Sequence, residues 1–230
     1  MTADTRSTQL FVQLLVFTGC RDVQPVVDAV RRADLEAVVY FNVNDPNGVG
    51  ILIMAEDPAV FTDRARRMFV TEPLASLTPL TGFTMFGRTY ATGREQHLED
   101  WLLHKPRRHA LNPAFPWAVW YPLRRLGAFN RLPRAEQGKI LGEHALIGRG
   151  YAELGHAVDI RLECHGLDRA DNEFVIGLVG PELAPLSRLV KDMRATRQTS
   201  EFIQSMGPFF VGRVAYQAPL AERSRPCERA

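Results

Sequence analysis

The sequence contains few cysteines and no cysteine motif. Its cysteines are Cys20, Cys164 and Cys227, an odd number with no CxxC spacing. Disulfide-stabilised domains and structural zinc sites depend on paired or closely spaced cysteines. The sequence therefore argues against both kinds of structure, and we interpret the three cysteines as free thiols.

The sequence also lacks a strong charge excess and a long apolar run. Its formal net charge is +2, which gives no electrostatic reason to expect a nucleic-acid partner. No window has the apolar length of a membrane span, and Met1 to Thr8 is polar, unlike the start of a secretory signal. We expect a cytoplasmic protein with no membrane span. A hydrophobic content of 46% suffices for a sizeable core.

Hydrophobic periodicity predicts the same order of elements twice along the chain. The first half is predicted to contain strand 9–17, helix 23–33, strand 38–43, strand 51–54, helix 59–68 and a strand at 80–86. The second half is predicted to contain strand 117–121, helix 133–154, strand 157–164, strand 174–179, helix 183–193 and strand 209–216. Both halves read βαββαβ, which predicts an α+β protein whose antiparallel sheets face each other with helices outside.

The boundaries of the two predicted units follow from the segments that interrupt this order. The first unit spans 1–88 and the second spans 115–216. Segment 89–114 is predicted to be a linker, with a short helix around Glu95 to His104 and then a basic loop that contains prolines. The tail 217–230 is predicted to be disordered because it is rich in Arg, Ser, Pro and Glu.

His144 is an unusual residue for its position, since it lies within the helical apolar pattern of the second half. Ile140, Leu141, Ile147, Gly148 and Tyr151 share its predicted helix face. A lone histidine of this kind is most often a core residue that bonds a carbonyl. A neutral imidazole that projects from a helix into an apolar cavity is also what haem ligation requires. One histidine by itself does not make a zinc site.

A second candidate feature is Tyr121-Pro122, followed by Arg124 and Arg125. We place Tyr121 at the end of its strand. Two guanidinium groups beside a phenol can bind carboxylates and hold an oxidisable ring next to them, if the site is a pocket. The alternative is a solvated loop with a packed aromatic ring.

These segments together resemble the chlorite dismutase family, and within it most closely the coproheme decarboxylases. The resemblance covers 115–216 and is carried by Tyr121-Pro122-Leu123-Arg124-Arg125, Glu143-His144, the glycines and tyrosine up to Tyr151, Gly166-Leu167-Asp168, Met193-Arg194 and Gly207-Pro208-Phe209-Phe210-Val211-Gly212. The family fold is a dimeric α+β barrel of two ferredoxin-like units, often assembled as a pentamer. The resemblance thus implies a homo-oligomer.

The resemblance also implies roles for individual residues. His144 would be the axial ligand of a haem iron, and Tyr121 the tyrosine that becomes a radical. Arg124, Arg125 and Arg194 would bind porphyrin carboxylates. The hydroxyl group that follows Arg194 in the family would be that of Thr199 or Ser200.

The implied reaction belongs to haem biosynthesis: hydrogen peroxide reacts with iron coproporphyrin III, and two propionates are oxidatively decarboxylated to give haem b. The porphyrin is then both substrate and cofactor. Chlorite-degrading members have an arginine seven residues before Gly-Leu-Asp, and many decarboxylases have a glutamine. Here that position is Asp159, with Arg161 on the same strand face. Chlorite dismutation, a non-catalytic haem-binding protein and a barrel with a merely packed histidine are the alternatives.

Overall fold

The computed structural model describes residues 9–93 and 95–220. Its strands are β1 (Phe11–Thr18), β2 (Glu36–Asn42), β3 (Val49–Ala55), β4 (Thr78–Pro79), β5 (Met85–Thr89), β6 (Trp117–Arg125), β7 (Val158–Glu163), β8 (Phe174–Gly180), β9 (Ile203–Met206) and β10 (Phe210–Gln217). Its helices are α1 (Gln24–Arg32), α2 (Ala59–Thr62), α3 (Arg64–Phe69), α4 (Lys105–Ala110), α5 (Gly127–Asn130), α6 (Arg134–Glu153), α7 (Leu183–Arg194) and α8 (Arg197–Phe202).

The strand pairings confirm a barrel of two ferredoxin-like units. In the first unit the order is β2-β3-β1-β5, and in the second it is β7-β8-β6-β10, all antiparallel. Numbered within its own unit, each sheet therefore has the order 2-3-1-4. Strand β5 pairs with β7 through only two residue pairs, and β10 pairs with both β2 and β6. The sheet closes on itself, so these eight strands leave no open edge between the units.

Side-chain alternation along the strands divides the core into an interior and two outer layers. The barrel interior contains large buried side chains from both units, including Tyr40, Trp120 and Phe210. The helices of the first unit pack outside β1, β2 and β3, and α7 packs outside β6 and β8. Helices α1, α3 and α7 thus bury their apolar faces on the outer surface of their own sheets.

Several predicted elements differ from the structure. The predicted helix 59–68 is broken into α2 and α3 at Asp63, whose φ is −107° and ψ is −84°. The predicted strand 80–86 begins later, as β5, and β6 continues through Pro122 to Arg125. The short elements β9 and α8 were not predicted. The predicted disordered tail is wrong at its start, because Gln217 pairs with Val38 and the Ala218 N–H donates to the Ala37 carbonyl. Positions 221–230 lie outside the described residues.

The segment predicted as a linker is built into the barrel. Leu102, Leu103, Ala110 and Leu111 belong to the interior cluster. The Thr89 hydroxyl donates to the Leu102 carbonyl (2.8 Å) and accepts from the Leu10 N–H (2.9 Å). The predicted helix around Glu95 to His104 is present from Leu98, and it contains a π-helical turn at Asp100–His104. It leads directly into α4, so the segment predicted as a basic loop is helical. Pro106 has no N–H for the carbonyl four residues before it, and that carbonyl, of Leu102, instead accepts the Thr89 hydroxyl.

Cys20 and Cys164 are free thiols, as predicted, and Cys227 lies outside the described residues. Within 9–93 and 95–220, no helix has both the length and the apolar character that crossing a membrane requires.

Replacing Gly177 by alanine is expected to destabilise the barrel by about 1–3 kcal/mol, because overpacking a dense core forces side chains away from their preferred rotamers. A Cβ at Gly177 would lie 2.4 Å from the Trp120 ring. The matched control is Gly142→Ala in α6, where a Cβ meets nothing within 4 Å. Urea unfolding should show the control equal to or up to about 1 kcal/mol more stable than wild type. Equal stability of the two variants would contradict this packing.

Candidate functional site

The candidate site lies between one sheet surface and the helices α6 and α7. We call this surface the cleft face; it consists of side chains that share one side of three neighbouring strands. The cleft face has three cross-strand rows, each with one residue from β6, one from β8 and one from β7. The rows are Val119, Leu178 and Asp159; Tyr121, Ile176 and Arg161; and Leu123, Phe174 and Glu163. Met193 and Leu189 of α7, with Ile147 and Tyr151 of α6, pack against its apolar part. The strand register therefore brings charged residues of β7 beside an apolar floor.

Tyr121 was predicted at the end of its strand, but the structure places it within β6. It is 5% exposed, and its ring stacks on Phe209 at 4.7 Å between centroids. The Pro122 carbonyl accepts the Gly207 N–H (2.9 Å), which holds the chain before Phe209 against β6. Burial raises the pKa of Tyr121, and the charge of Asp159 raises it further, while Arg194 opposes them. The phenol is therefore neutral and held in one orientation.

His144 lies on α6, the predicted helix, and is half-buried. Burial lowers the pKa of His144, and this outweighs the attraction of the Asp159 carboxylate. The imidazole is therefore neutral at pH 7. Its Nδ1 atom lies 3.3 Å from Oγ1 of Thr196. The Tyr151 hydroxyl donates to Asp192 (2.6 Å), which joins α6 to α7.

Asp159 and Arg161 form an ion pair on the cleft face, with 3.0 Å between Oδ2 and Nε. The Arg161 guanidinium lies over the Trp101 ring, 5.0 Å from its centroid. The His109 ring bonds the Asp159 carbonyl at 3.1 Å. The charge of Asp159 acts to raise the pKa of both His144 and Tyr121, and the charge of Arg161 acts to lower the pKa of His144. This ion pair thus supplies the charged groups of the cleft face that influence the two candidate residues, His144 and Tyr121.

A small cavity adjoins this pair at the seam between β5 and β7. Its volume is about 20 Å³, enough for about one water molecule. Its lining includes Tyr90, Trp101, Lys105, Asp159 and Arg161. The polar part of the cleft therefore extends to segment 89–114, which supplies Trp101 and Lys105.

The two adjacent arginines point in different directions. Arg125 bonds Glu173 (Nε–Oε2 3.3 Å) and lies over the ring of Phe174, 4.4 Å from its centroid, on the cleft face. Arg124 donates instead to the carbonyls of Ala170 and Asp171 (2.8 Å to Asp171) and ties down the turn before β8. A register shift between the two residues separates them. Arg125 thus shares a face with Tyr121, whereas Arg124 stabilises a turn; that both bind carboxylates stays a prediction.

The remaining predicted residues lie where α7 ends and α8 begins. Arg194 is the exposed last residue of α7. Its charge acts to lower the pKa of Tyr121, against the effect of burial. Thr199 is half-buried, with its Oγ1 3.3 Å from that of Thr196. The Ser200 hydroxyl donates to the Thr196 carbonyl (3.0 Å). Sequence reasoning missed Thr196, although a threonine ahead of a helix is a recognisable N-cap signal.

The candidate metal ligands of the site suit a metal ion that a cofactor already coordinates in most positions. Among residues 9–93 and 95–220, no group of three or more His, Cys, Asp or Glu side chains could hold a bare metal ion. A single neutral imidazole beside an apolar floor fits an iron that four porphyrin nitrogens already coordinate. Of the predicted residues, Asp159 and Arg194 influence the pKa of Tyr121, and Asp159 and Arg161 influence the pKa of His144.

Comparisons with known proteins agree with this fold. A family model described as chlorite dismutase matches residues 62–215. A novel haem-binding protein from Thermus thermophilus has a similar structure, with 17% identity, a TM-score of 0.69 and 90% of each chain covered. Chlorite dismutase from Candidatus Nitrospira defluvii in complex with imidazole has 16% identity and a TM-score of 0.69, with 94% of this chain and 93% of that chain covered. At these identities the structural likeness concerns the fold.

Proposed function

Because this chain belongs to the chlorite dismutase family, we propose that it binds an iron porphyrin through His144 and oxidatively decarboxylates iron coproporphyrin III with hydrogen peroxide. The haem-binding neighbour from Thermus thermophilus supports the choice of cofactor. Haem is therefore the cofactor class, and coproheme is the substrate within that class.

His144 is the proposed ligand because its Nε2 atom is free to bind a metal when Nδ1 bonds Thr196. The neutral imidazole needs no deprotonation before it binds iron. Ile147 and Met193 supply apolar surroundings that favour a porphyrin ring over bulk water.

Arg125 and Arg194 are the proposed partners of the porphyrin carboxylates. Coproheme carries four carboxylates, and guanidinium groups bind carboxylates through charge-assisted hydrogen bonds. Arg125 stands at the Leu123 end of the cleft face, and the charge of Arg194 acts on Tyr121. Thr199 or Ser200 would add a hydroxyl group near Arg194. Arg124 contributes indirectly, through the turn that it stabilises.

The buried phenol of Tyr121 beside these charges is the observation that carries the proposed reaction. A bound iron porphyrin, when it reacts with peroxide, supplies a two-electron oxidant. Tyr121 gives up its phenolic hydrogen and then takes a hydrogen atom from the propionate chain. Loss of carbon dioxide and one further electron leaves a vinyl group. For each propionic acid group, one peroxide accepts two electrons and two protons and becomes two water molecules. The second decarboxylation yields haem b.

Tyr121→Phe is expected to slow decarboxylation more than about tenfold, because phenylalanine has no hydrogen that the oxidant can remove. The purified protein would be loaded with iron coproporphyrin III and titrated with peroxide. Chromatography with mass detection would then follow the three-propionate intermediate and protohaem. Tyr216→Phe is the matched control, since Tyr216 lies beside Arg31 of the first unit and is not part of the cleft face. Equal turnover by wild type and Tyr121→Phe would contradict the proposed reaction.

Arg161 favours chlorite dismutation as a second candidate function. Its guanidinium belongs to the cleft face, in the same cross-strand row as Tyr121. Chlorite is an anion that a guanidinium group attracts. An oxygen electrode distinguishes the two reactions, because chlorite dismutation releases oxygen and decarboxylation does not. A protein that gives neither reaction and still has a haem spectrum that depends on His144 would be a non-catalytic haem binder.

A further inference from the structure

Thr196 is a buried polar residue in direct contact with His144. It is 1% exposed, and it precedes α8 as its N-cap. Its Oγ1 atom lies 2.7 Å from the Met193 carbonyl oxygen, 3.3 Å from Nδ1 of His144 and 3.3 Å from Oγ1 of Thr199. The hydroxyl therefore stands at the centre of a small polar network behind the imidazole.

The position of the hydroxyl hydrogen follows from these distances. A carbonyl oxygen can only accept, and 2.7 Å is the normal length of an O–H···O bond. The single hydrogen of Thr196 Oγ1 therefore points to Met193. Toward His144 the same oxygen can only accept, so Nδ1 must be the donor. A neutral imidazole that carries its hydrogen on Nδ1 has its lone pair on Nε2.

Contacts that do not involve the imidazole hold Thr196 in this position. The Arg197 N–H donates to the Glu143 carboxylate of α6 (3.1 Å), and the Arg197 side chain pairs with Glu136 of α6 (3.1 Å). The start of α8 is thus attached to the helix that carries His144. Because these contacts join α8 to α6 without the imidazole, they fix the acceptor for Nδ1–H independently of the His144 ring.

We propose that Thr196 is the positioning residue of His144: it accepts the Nδ1–H hydrogen bond, selects the tautomer that directs Nε2 toward the iron, and fixes the orientation of the ring. This inference rests on the proposed role of His144 as the iron ligand.

The identity of the acceptor also has a chemical consequence. A carboxylate in this place would draw the proton from Nδ1 and make the imidazole a stronger electron donor. The carboxylates whose charges act on His144 are engaged elsewhere, Asp159 with Arg161 and Glu143 with the Arg197 N–H. The neutral hydroxyl leaves a neutral imidazole, which is a weaker donor to the metal.

The first test determines the tautomer of His144 in the ligand-free protein by NMR. Two-bond proton–nitrogen NMR spectra of protein labelled with ¹⁵N-histidine, with His144→Gln to assign the signal, should identify the Nδ1–H form in wild type. Thr196→Val removes the acceptor at nearly constant shape and should convert His144 wholly or partly to the Nε2–H form. Thr196→Ser should keep the wild-type form. An Nε2–H form in the wild type, or an unchanged tautomer in Thr196→Val, would overturn the proposal.

The second test reads the iron–imidazole bond in the ferrous protohaem complex by resonance Raman spectroscopy. Thr196→Val should shift or broaden the iron–histidine stretching band and weaken protohaem binding about tenfold, the lower range for losing a partner of a metal ligand. Thr196→Ser should restore both. Asp57→Ala is the matched control, because it removes a similar side-chain-to-backbone hydrogen bond ahead of a helix (Ala59 N–H to Asp57, 2.9 Å), in the first unit. An unchanged band in Thr196→Val, or the same shift in the control, would overturn the role of Thr196. An unchanged band in His144→Ala would instead overturn the proposed ligand.

Discussion

His144→Ala is expected to weaken haem binding by at least about 100-fold, and it should abolish any spectrum that depends on an axial imidazole. Loss of an outer partner of a metal ligand costs 10–100-fold in affinity, so loss of the ligand itself should cost at least the upper value. The apolar contacts of Ile147 and Met193 remain in this variant. Residual porphyrin binding without an iron–imidazole bond is therefore the expected state.

Titration of the purified protein with haem, followed through the Soret band, measures this effect. Added imidazole should restore the spectrum of His144→Ala, because the deleted side chain leaves space of that shape beside Thr196. The matched control is His97→Ala, which removes an exposed histidine outside the cleft. A wild-type Soret band in His144→Ala, or its loss in His97→Ala, would contradict the assignment of the ligand.

Arg107→Met is expected to lower the free energy of unfolding by about 3 kcal/mol. The Arg107 side chain is 1% exposed and pairs with Glu36 (2.9 Å) and Glu56 (3.0 Å), and it also donates to the Leu103 carbonyl. Removing one member of a buried ion pair costs about 3–5 kcal/mol, since the partner charge is left uncompensated. Glu36 and Glu56 retain 23% and 30% side-chain exposure, so water relieves part of this cost. We therefore expect the lower end of the range.

Thermal and urea unfolding measure this loss, and a chain of this length should melt about 6–12 °C lower. Arg108→Met is the matched control: Arg108 pairs with Asp100 where the side chains are 23% and 45% exposed. Exposed pairs contribute about 0–1 kcal/mol. Adding Glu36→Gln and Glu56→Gln to Arg107→Met should recover part of the loss, because it removes the uncompensated charges. Equal destabilisation by Arg107→Met and Arg108→Met would contradict the structural role of Arg107.

Segment 89–114 shows why local sequence reasoning fails at some elements. Lys105, Arg107 and Arg108, together with the prolines of this segment, predicted a basic loop. The segment is helical because the Leu102 carbonyl, for which Pro106 has no N–H, accepts the Thr89 hydroxyl. In addition, Arg107 pairs with two carboxylates of the first unit, more than 50 and 70 residues away along the chain. Such distant charge partners leave no local periodicity in the sequence.

The cleft shows the same division between predictable and unpredictable features. The helix that carries His144 follows from its apolar spacing, and the strand that carries Tyr121 follows from its aromatic and β-branched residues. That Tyr121 lies inside its strand depends on pairing with β8 and β9, and the separation of Arg124 from Arg125 depends on a register shift. Single-strand patterns do not encode register with a distant strand.

The sequence by itself determined the elements, their duplicated order and the residue types available for chemistry, because propensity and periodicity act over a few neighbouring residues. Only the tertiary structure decided that β10 closes the barrel between β2 and β6, and that Asp159 and Arg161 share a face with Tyr121. It also decided that Thr196 meets the imidazole of His144 across 52 positions of the chain. The physical reason is that cross-strand register and helix packing, which bring distant side chains together, are set by the mutual fit of whole elements.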